Sequence, residues 1–271
     1  MTVMDRLRYV VVTRPGLRRA GKDIVSTAAS LAVPTRLQLA GLQATRAART
    51  RLAYADVFDY PSPPDPFTIR WIDPTVIRRF SPRVHPPWWN RRQSFGDVQA
   101  GDWDRRAYAQ APSPATYPQR GERELLYADR VTDSLLYIAI QDRLKRGVDW
   151  TDTAFVRGIL ERIESGTPVW QDCRTRADVL RRCSRLEGLA ETIQDNGIKS
   201  QQELVADGVV DRAGILHALG NEIVVDIARN GVPLLVSGKH RFSIARALGL
   251  QAIPVATCVR HEEWMRDTRR I

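Results

Sequence analysis

From Glu222 to Gly249 the chain reads as an alternating apolar run, a turn dipeptide, a second apolar run, a glycine and a helical run, and this order constrains the fold more than any other stretch. Glu222 to Ile227 places Ile223, Val225 and Ile227 on one face and Glu222, Val224 and Asp226 on the other, the period of a strand. Asn230-Gly231 predicts a tight hairpin, because these residues tolerate positive φ, and Val232 to Val236 returns as its second strand. Ser237-Gly238-Lys239-His240-Arg241 follows directly, Phe242 to Leu248 reads as a helix stopped by Gly249, and Ala252 to Val259 closes the unit as a strand with Pro254 near its start.

A strand that enters a helix through a glycine leaves backbone N–H groups unpaired at the positive end of the helix dipole, where an anion is stabilised. Gly238 removes a side chain from that position, and Lys239, His240 and Arg241 bring cationic donors to it. An arginine grips phosphate through two parallel hydrogen bonds. On spacing alone the same residues also describe an ordinary helix entry with a solvated basic turn.

The remaining chain divides by composition. Residues 1–60 form an Ala- and Arg-rich arm, expected to be partly helical, that either meets nucleic acid or an acidic membrane surface or packs as an extension of the body. Pro61-Ser62-Pro63-Pro64-Asp65-Pro66 is a stiff linker over 61–66. Phe67 to Ile72 predicts a strand and Asp73-Pro74 a turn, giving a first piece of core over 67–80.

Residues 81–185 read as an insertion, irregular at first, where Trp88, Trp89 and Trp103 serve as anchors for a proline-rich loop or as stacking surfaces. Helices are predicted over Glu122 to Arg146, from a cap at Thr151 through Ile163, and over Asp178 to Gln194, each with apolar residues at three- and four-residue spacing. Residues 186–271 hold the unit described first.

At 271 residues and 43% hydrophobic, the chain can bury one substantial core or a core with a satellite. No run approaches the roughly 18 apolar residues of a membrane span, and no signal sequence is recognisable, so a cytoplasmic protein is expected. Cys173, Cys183 and Cys258 lack metal-ligand spacing and read as reduced structural thiols. A net charge of +10 points to anionic partners. The arginines are spread along the whole chain, however, which weakens that inference.

The run from Leu235 to Val255 resembles the ParB/sulfiredoxin superfamily: apolar strand, Gly238, two polar positions, Arg241, an Ala-containing helix, Leu248-Gly249, then Ile253-Pro254-Val255. Ile69 to Ile77 with Ile72-Asp73-Pro74 is similar to the first strand and turn of that fold, and Ile193 to Gln201 with Asn196-Gly197-Ile198 to its helix and turn before the hairpin. The resemblance covers 67–80 and 186–264. It implies a ParB/sulfiredoxin-like core with a small mixed sheet, and with the large helical insertion and basic N-terminal arm read from the residues above, neither of which it covers, the class expected is α+β.

It also implies nucleotide phosphates held by Gly238, Lys239, His240, Arg241 and Ser243, while Gln201 reads either as a contact to a base or ribose or as an amide that caps the turn. The bound species would be a nucleoside tri- or diphosphate, ATP, ADP or CTP, with Mg²⁺ as a companion ion. The activity implied is nucleotide hydrolysis or phosphoryl transfer, with nuclease or nucleic-acid binding, or plain ligand binding, as alternatives. Lys239 stands where sulfiredoxins place their catalytic cysteine and partition proteins a glutamate. The sequence given closes soon after Trp264, short of the helix-turn-helix of partition proteins. Reductase and partition activities are therefore not expected, and Arg78-Arg79-Phe80-Ser81 lacks the glutamate of the serine kinases.

His240 is the candidate general acid or phosphate donor if a neighbour fixes its tautomer, with a structural hydrogen bond from its ring to the loop backbone as the alternative. Asp226 and Glu222 are each candidates for a single base or Mg²⁺ ligand beside phosphate, with the polarity of an edge strand as the plainer reading. Asp102 and Asp104 suggest a cation site or a turn anchored by Trp103. His261, Glu262 and Glu263 suggest a surface cluster.

Overall fold

The computed structural model describes residues 60, 68–83, 95–108, 123–167, 169–208 and 221–267. Apart from residue 60, the basic arm lies outside the described residues, as do the proline linker, Trp88, Trp89 and the stretch from 209 to Leu219.

The architecture is α+β around a small mixed sheet of five strands, β1 (Ile69–Ile72), β2 (Asp97–Gln99), β3 (Ile223–Ile227), β4 (Pro233–Ser237) and β5 (Ile253–His261). The order β1-β5-β3-β4 puts β1 antiparallel to β5, β5 parallel to β3, and β3 antiparallel to β4. β2 runs parallel to the end of β5, pairing Asp97 with Val259 and Gln99 with His261. The stretch expected to be an irregular insertion thus gives the sheet a strand, too short for sequence periodicity to reveal.

β3 is an interior strand, which corrects the edge-strand reading of Glu222 and Asp226. Even the far side of β4 is covered: Ser81 N donates to Leu235 O at 2.8 Å and Leu235 N to Arg79 O at 2.8 Å. Residues 69 to 81 therefore pass from one side of the sheet to the other. The turn between is fixed by Asp73, whose carboxylate accepts from Thr75 N at 2.7 Å, and by Pro74 at the first position of a short 3-10 helix.

Seven helices complete the described residues: α1 (Arg123–Leu126), α2 (Leu135–Arg146), α3 (Ala154–Glu164), α4 (Arg176–Asn196), α5 (Gln201–Ala206), α6 (Lys239–Ala247) and α7 (Glu262–Arg266). The single helix expected over 122–146 is broken into α1 and α2. Between them Val131 N bonds Arg78 O at 3.0 Å, Arg130 bridges Arg79, and Ser134 caps α2. Tertiary pairing with the strand-like 78–81 segment outweighs helical periodicity there.

α3 is capped by Thr153, not Thr151, which sits in a 3-10 turn capped by Asp149. α4 starts at a capping box between Thr175 and Asp178, two residues earlier than its apolar pattern suggests. In the hairpin only Gly231 takes positive φ, at 82°. Gly231 N bonds Ala228 O and Ala228 N bonds Val232 O, so the connection is wider than the two-residue turn expected from Asn230-Gly231.

The sheet buries both faces. One packs Ile223, Val225, Leu235 and Val255 against the helices, in a single cluster with Ile140, Phe155 and other residues of the 81–185 region. The other packs Val224, Leu234, Val236 and Ala256 under Phe95 and Trp103. Trp103 is the anchor expected of it, 7% exposed with Nε1 donating to Gln99 O at 3.3 Å.

Beside it the cation held by Asp102 and Asp104 is the Arg229 guanidinium, 2.7 and 2.8 Å away. His261 is not at the surface. It is 1% exposed, donates from Nε2 to Gly101 O at 2.7 Å, and caps α7 by accepting from Glu263 N. All three cysteines are buried thiols outside any disulfide, as expected, and burial pushes Cys183 up to about 12.

Candidate functional site

β4 ends at Ser237, Gly238 turns at φ 80°, and Lys239 is the first residue of α6. Gly238 is the N-cap and gives no side-chain hydrogen bond, while the first helical bond runs from Phe242 N to Gly238 O. The amides of Lys239, His240 and Arg241 thus precede the hydrogen-bond ladder, at the positive end of the helix dipole. The Oγ of Ser237, the residue before the glycine, is buried without a partner among the described residues. Leaving a buried hydroxyl unpaired costs about 1–3 kcal/mol.

Gly238 is required here by packing as well as by conformation. A Cβ on it would lie 2.6 Å from Ile223 Cα and 3.0 Å from Glu222 O. The glycine brings the turn against the start of β3, a reason the sequence reading, which gave it to ligand approach, did not contain.

The cations of the turn diverge. Lys239 Nζ donates to Tyr127 Oη at 3.1 Å and lies 4.5 Å from the centre of its ring. Tyr127 stacks in turn on Tyr108, with centroids 5.1 Å apart. Arg241 turns to Glu222, its guanidinium 2.5 Å from Oε1, and also donates to Lys199 O. The Glu222 side chain is wholly buried, and its Oε2 accepts from Gln201 N at 2.7 Å. Burial raises the Glu222 carboxyl above its ordinary value, with Arg241 and the backbone donors opposing that rise.

Of the residues expected to contact phosphate, Arg241 is therefore committed to an internal carboxylate, and the first amide of α5 is committed to the same one. Gln201 meets the turn through this backbone bond. Glu222, one of two carboxylates weighed for the site, is the one that adjoins it.

His240 faces the helices. Its Nε2 accepts from Trp170 Nε1 at 3.3 Å, which makes Nδ1 the protonated nitrogen of the neutral ring. Burial first, then Lys239 and Arg182, push His240 down to about 3. The neighbour that a general acid needs to set its tautomer is present, but a ring held neutral at pH 7 lacks the acidic second proton of an imidazolium, and its Nδ1–H is too weak an acid to replace it.

Trp170 itself is held by an unusual backbone. Trp170, Gln171 and Asp172 have φ of 52°, 59° and 62°, a left-handed turn of three non-glycine residues closed by two hydrogen bonds between Val169 and Cys173. No sequence signal announces this turn, since none of the three is a glycine or asparagine.

Asp226 and Ser243 are not at the turn. Asp226 Oδ2 accepts from Ser81 Oγ at 2.6 Å and Arg83 Nε at 3.1 Å, and Oδ1 from Val259 N at 3.0 Å and Arg83 Nη2 at 3.3 Å. These donors fill the roughly four acceptor positions of a carboxylate. Asp226 also lies three residues along β3 from the Ile223 contact with Gly238, a rise of about 10 Å. It braces Arg83 and β5 inside the core. Ser243 is 2% exposed, and its carbonyl accepts from Gln141 of α2 at 3.0 Å, so it belongs to helix packing.

Among the described residues no group of three His, Cys, Asp or Glu side chains is placed to hold a metal ion, and no helix is long and apolar enough to cross a membrane. The chain matches no protein-family model, no curated protein and no solved structure.

Proposed function

We propose that this chain is a nucleotide- or phosphate-binding protein of the ParB/sulfiredoxin type, and that it holds an anionic phosphate at the start of α6. The observation that carries the reading is the succession, in neighbouring residues, of the buried, unpartnered Ser237 Oγ and a glycine N-cap without a side-chain acceptor. A phosphate oxygen would accept from both, and Lys239 would add charge by swinging from Tyr127. Gly238 and Lys239 are the contacts this reading uses first. Arg241 would support the turn through Glu222 and join the phosphate on opening of that pair.

Ligand binding is favoured over turnover by the two residues nominated for catalysis. Asp226 is saturated with donors and His240 is held neutral. Hydrolysis or phosphoryl transfer here would rest on positioning and on charge at the helix start, with Mg²⁺ carried by the phosphates and at most one or two carboxylates.

A thermal-shift panel of ATP, ADP, CTP, GTP and inorganic phosphate, each with Mg²⁺, tests the reading. A ligand at about 100 times its Kd stabilises by about 2.7 kcal/mol, and Ser237→Ala with Lys239→Ala is expected to remove that shift, read against the variant's own ligand-free transition. No shift with any of the five ligands overturns it. Phosphate release measured on the same samples separates binding from hydrolysis.

A further inference from the structure

Lys239, the first residue of α6, ends its side chain on an aromatic ring and not on a carboxylate. Its Nζ donates to Tyr127 Oη at 3.1 Å and stands 4.5 Å from the ring centre, and among the described residues it forms no ion pair. Arg241, two residues on, has Glu222. The ammonium at the turn is therefore held by a neutral hydroxyl and a cation–π contact, a hold that a phosphate exceeds through its charge.

The ring it covers belongs to an ordered stack. Tyr127 and Tyr108 lie parallel within 10°, with centroids 5.1 Å apart, and the Arg123 guanidinium lies 4.6 Å from the centre of the Tyr108 ring. Each ring of the pair thus has the other ring and a cation against it. Phe80, 2% exposed, meets Tyr127 edge to face at 5.1 Å, and Tyr127 N bonds Arg123 O at 3.0 Å, so the ring sits directly after α1. Packing accounts for Phe80. It does not account for an ammonium over a half-buried ring, because an apolar side chain would cover that ring without giving up the hydration of a charge.

We propose that Tyr127 is the platform for the base of a nucleotide whose phosphates lie at the α6 turn. The inference rests on the phosphate-binding reading of that turn, and it narrows the ligand from phosphate in general to a nucleotide. When Lys239 turns to the phosphate it vacates the Tyr127 ring, and a base takes its place at the end of the stack. The exchange gives up one cation–π contact for a charge-assisted hydrogen bond and a stacked base, and base–aromatic stacking is at least as strong as the contact it replaces. The start of α6 and the ring are one lysine side chain apart, the scale of the sugar between a phosphate and its base. Every base has a π-face, so this platform selects nucleotide over phosphate without selecting the base.

Isothermal titration calorimetry of the full chain with ADP and with inorganic pyrophosphate, each with Mg²⁺, tests the inference on the unsubstituted protein and on Tyr127→Leu. ADP is expected to bind the unsubstituted protein more tightly than pyrophosphate does. In Tyr127→Leu, loss of one base–aromatic stack is expected to weaken ADP about 5- to 150-fold, while pyrophosphate, which needs only Lys239 and the turn, keeps its affinity or gains. Tyr127→Phe keeps the ring and is expected to hold ADP as tightly as the unsubstituted protein.

Equal affinity for ADP and pyrophosphate in the unsubstituted protein overturns the inference and leaves the phosphate reading standing, whereas binding of neither overturns both. Unchanged ADP affinity in Tyr127→Leu, or an equal loss of the two ligands there, overturns it as well, the second outcome making Tyr127 a support of the turn. Should the leucine variant fail to fold, nuclear Overhauser contacts between the adenine protons of bound ADP and the Tyr127 ring read the same stack in the unsubstituted protein. Saturable ADP binding without those contacts overturns the inference.

Discussion

Gly238 is the residue on which the turn depends, for two reasons that act together. Its φ of 80° disfavours any side chain, and the space a Cβ needs is occupied by Ile223 backbone. Gly238→Ala is expected to destabilise the protein by about 2–4 kcal/mol, the sum of a left-handed conformation and a forced strand displacement, as read by chemical denaturation. An unchanged midpoint would mean that the turn has room to move.

His240 makes a second prediction through pH. Its folded value is about 3 against an ordinary 6.5, so between these values the unfolded chain binds a proton that the folded chain does not. Its contribution to stability is present above pH 6.5 and is lost as pH falls toward 3. Glu222 works in the opposite sense: its raised carboxyl makes stability fall as pH climbs above 4.5. The comparison that isolates the histidine is therefore His240→Gln against the unsubstituted protein, from pH 7 to pH 4 by denaturant titration. A shallower loss of stability in the variant is expected, and equal losses would place His240 in water.

Between elements, what the sequence showed and what it hid differ by range. The order of strand, hairpin, glycine turn, helix and strand over 222–261 was legible because period-two alternation, Asn230-Gly231 and Gly249 are local signals. The break between α1 and α2 was not, since it is made by Arg78 and Arg79, some fifty residues away in sequence. The interior position of β3 and the existence of β2 depend likewise on partners elsewhere in the chain.

The candidate site was legible to a similar degree. Ser237 to Arg241 was found as a unit, but the pairing of Arg241 with Glu222 and of His240 with Trp170 is tertiary. The left-handed turn at Trp170–Asp172 is the element with most to test. Asp172 is exposed at φ 62°, so Asp172→Gly relieves strain and is expected to raise stability by about 1 kcal/mol, seen as an increased Tm. A lowered Tm would show that the aspartate side chain holds the turn.

In the whole molecule, the region of 81–185 is continuous with the sheet. One cluster joins Phe155, Ile159 and Val179 to Ile223, Val225 and Ile244, and α2 packs on α6 through Gln141 and Ser243. The helices therefore set the floor on which the glycine turn rests, and Trp170 and Tyr127, both from that region, are the partners of His240 and Lys239. A phosphate at the start of α6 would meet a turn held from both sides.

The most direct measurement of that claim is a ¹H–¹⁵N amide spectrum of the protein titrated with nucleotide or inorganic phosphate in the presence of Mg²⁺. A phosphate at the positive end of α6 is expected to shift the amides of Lys239, His240 and Arg241 first and most strongly, with Gly238 beside them. Saturable binding that leaves these amides unmoved and shifts others instead would contradict the account.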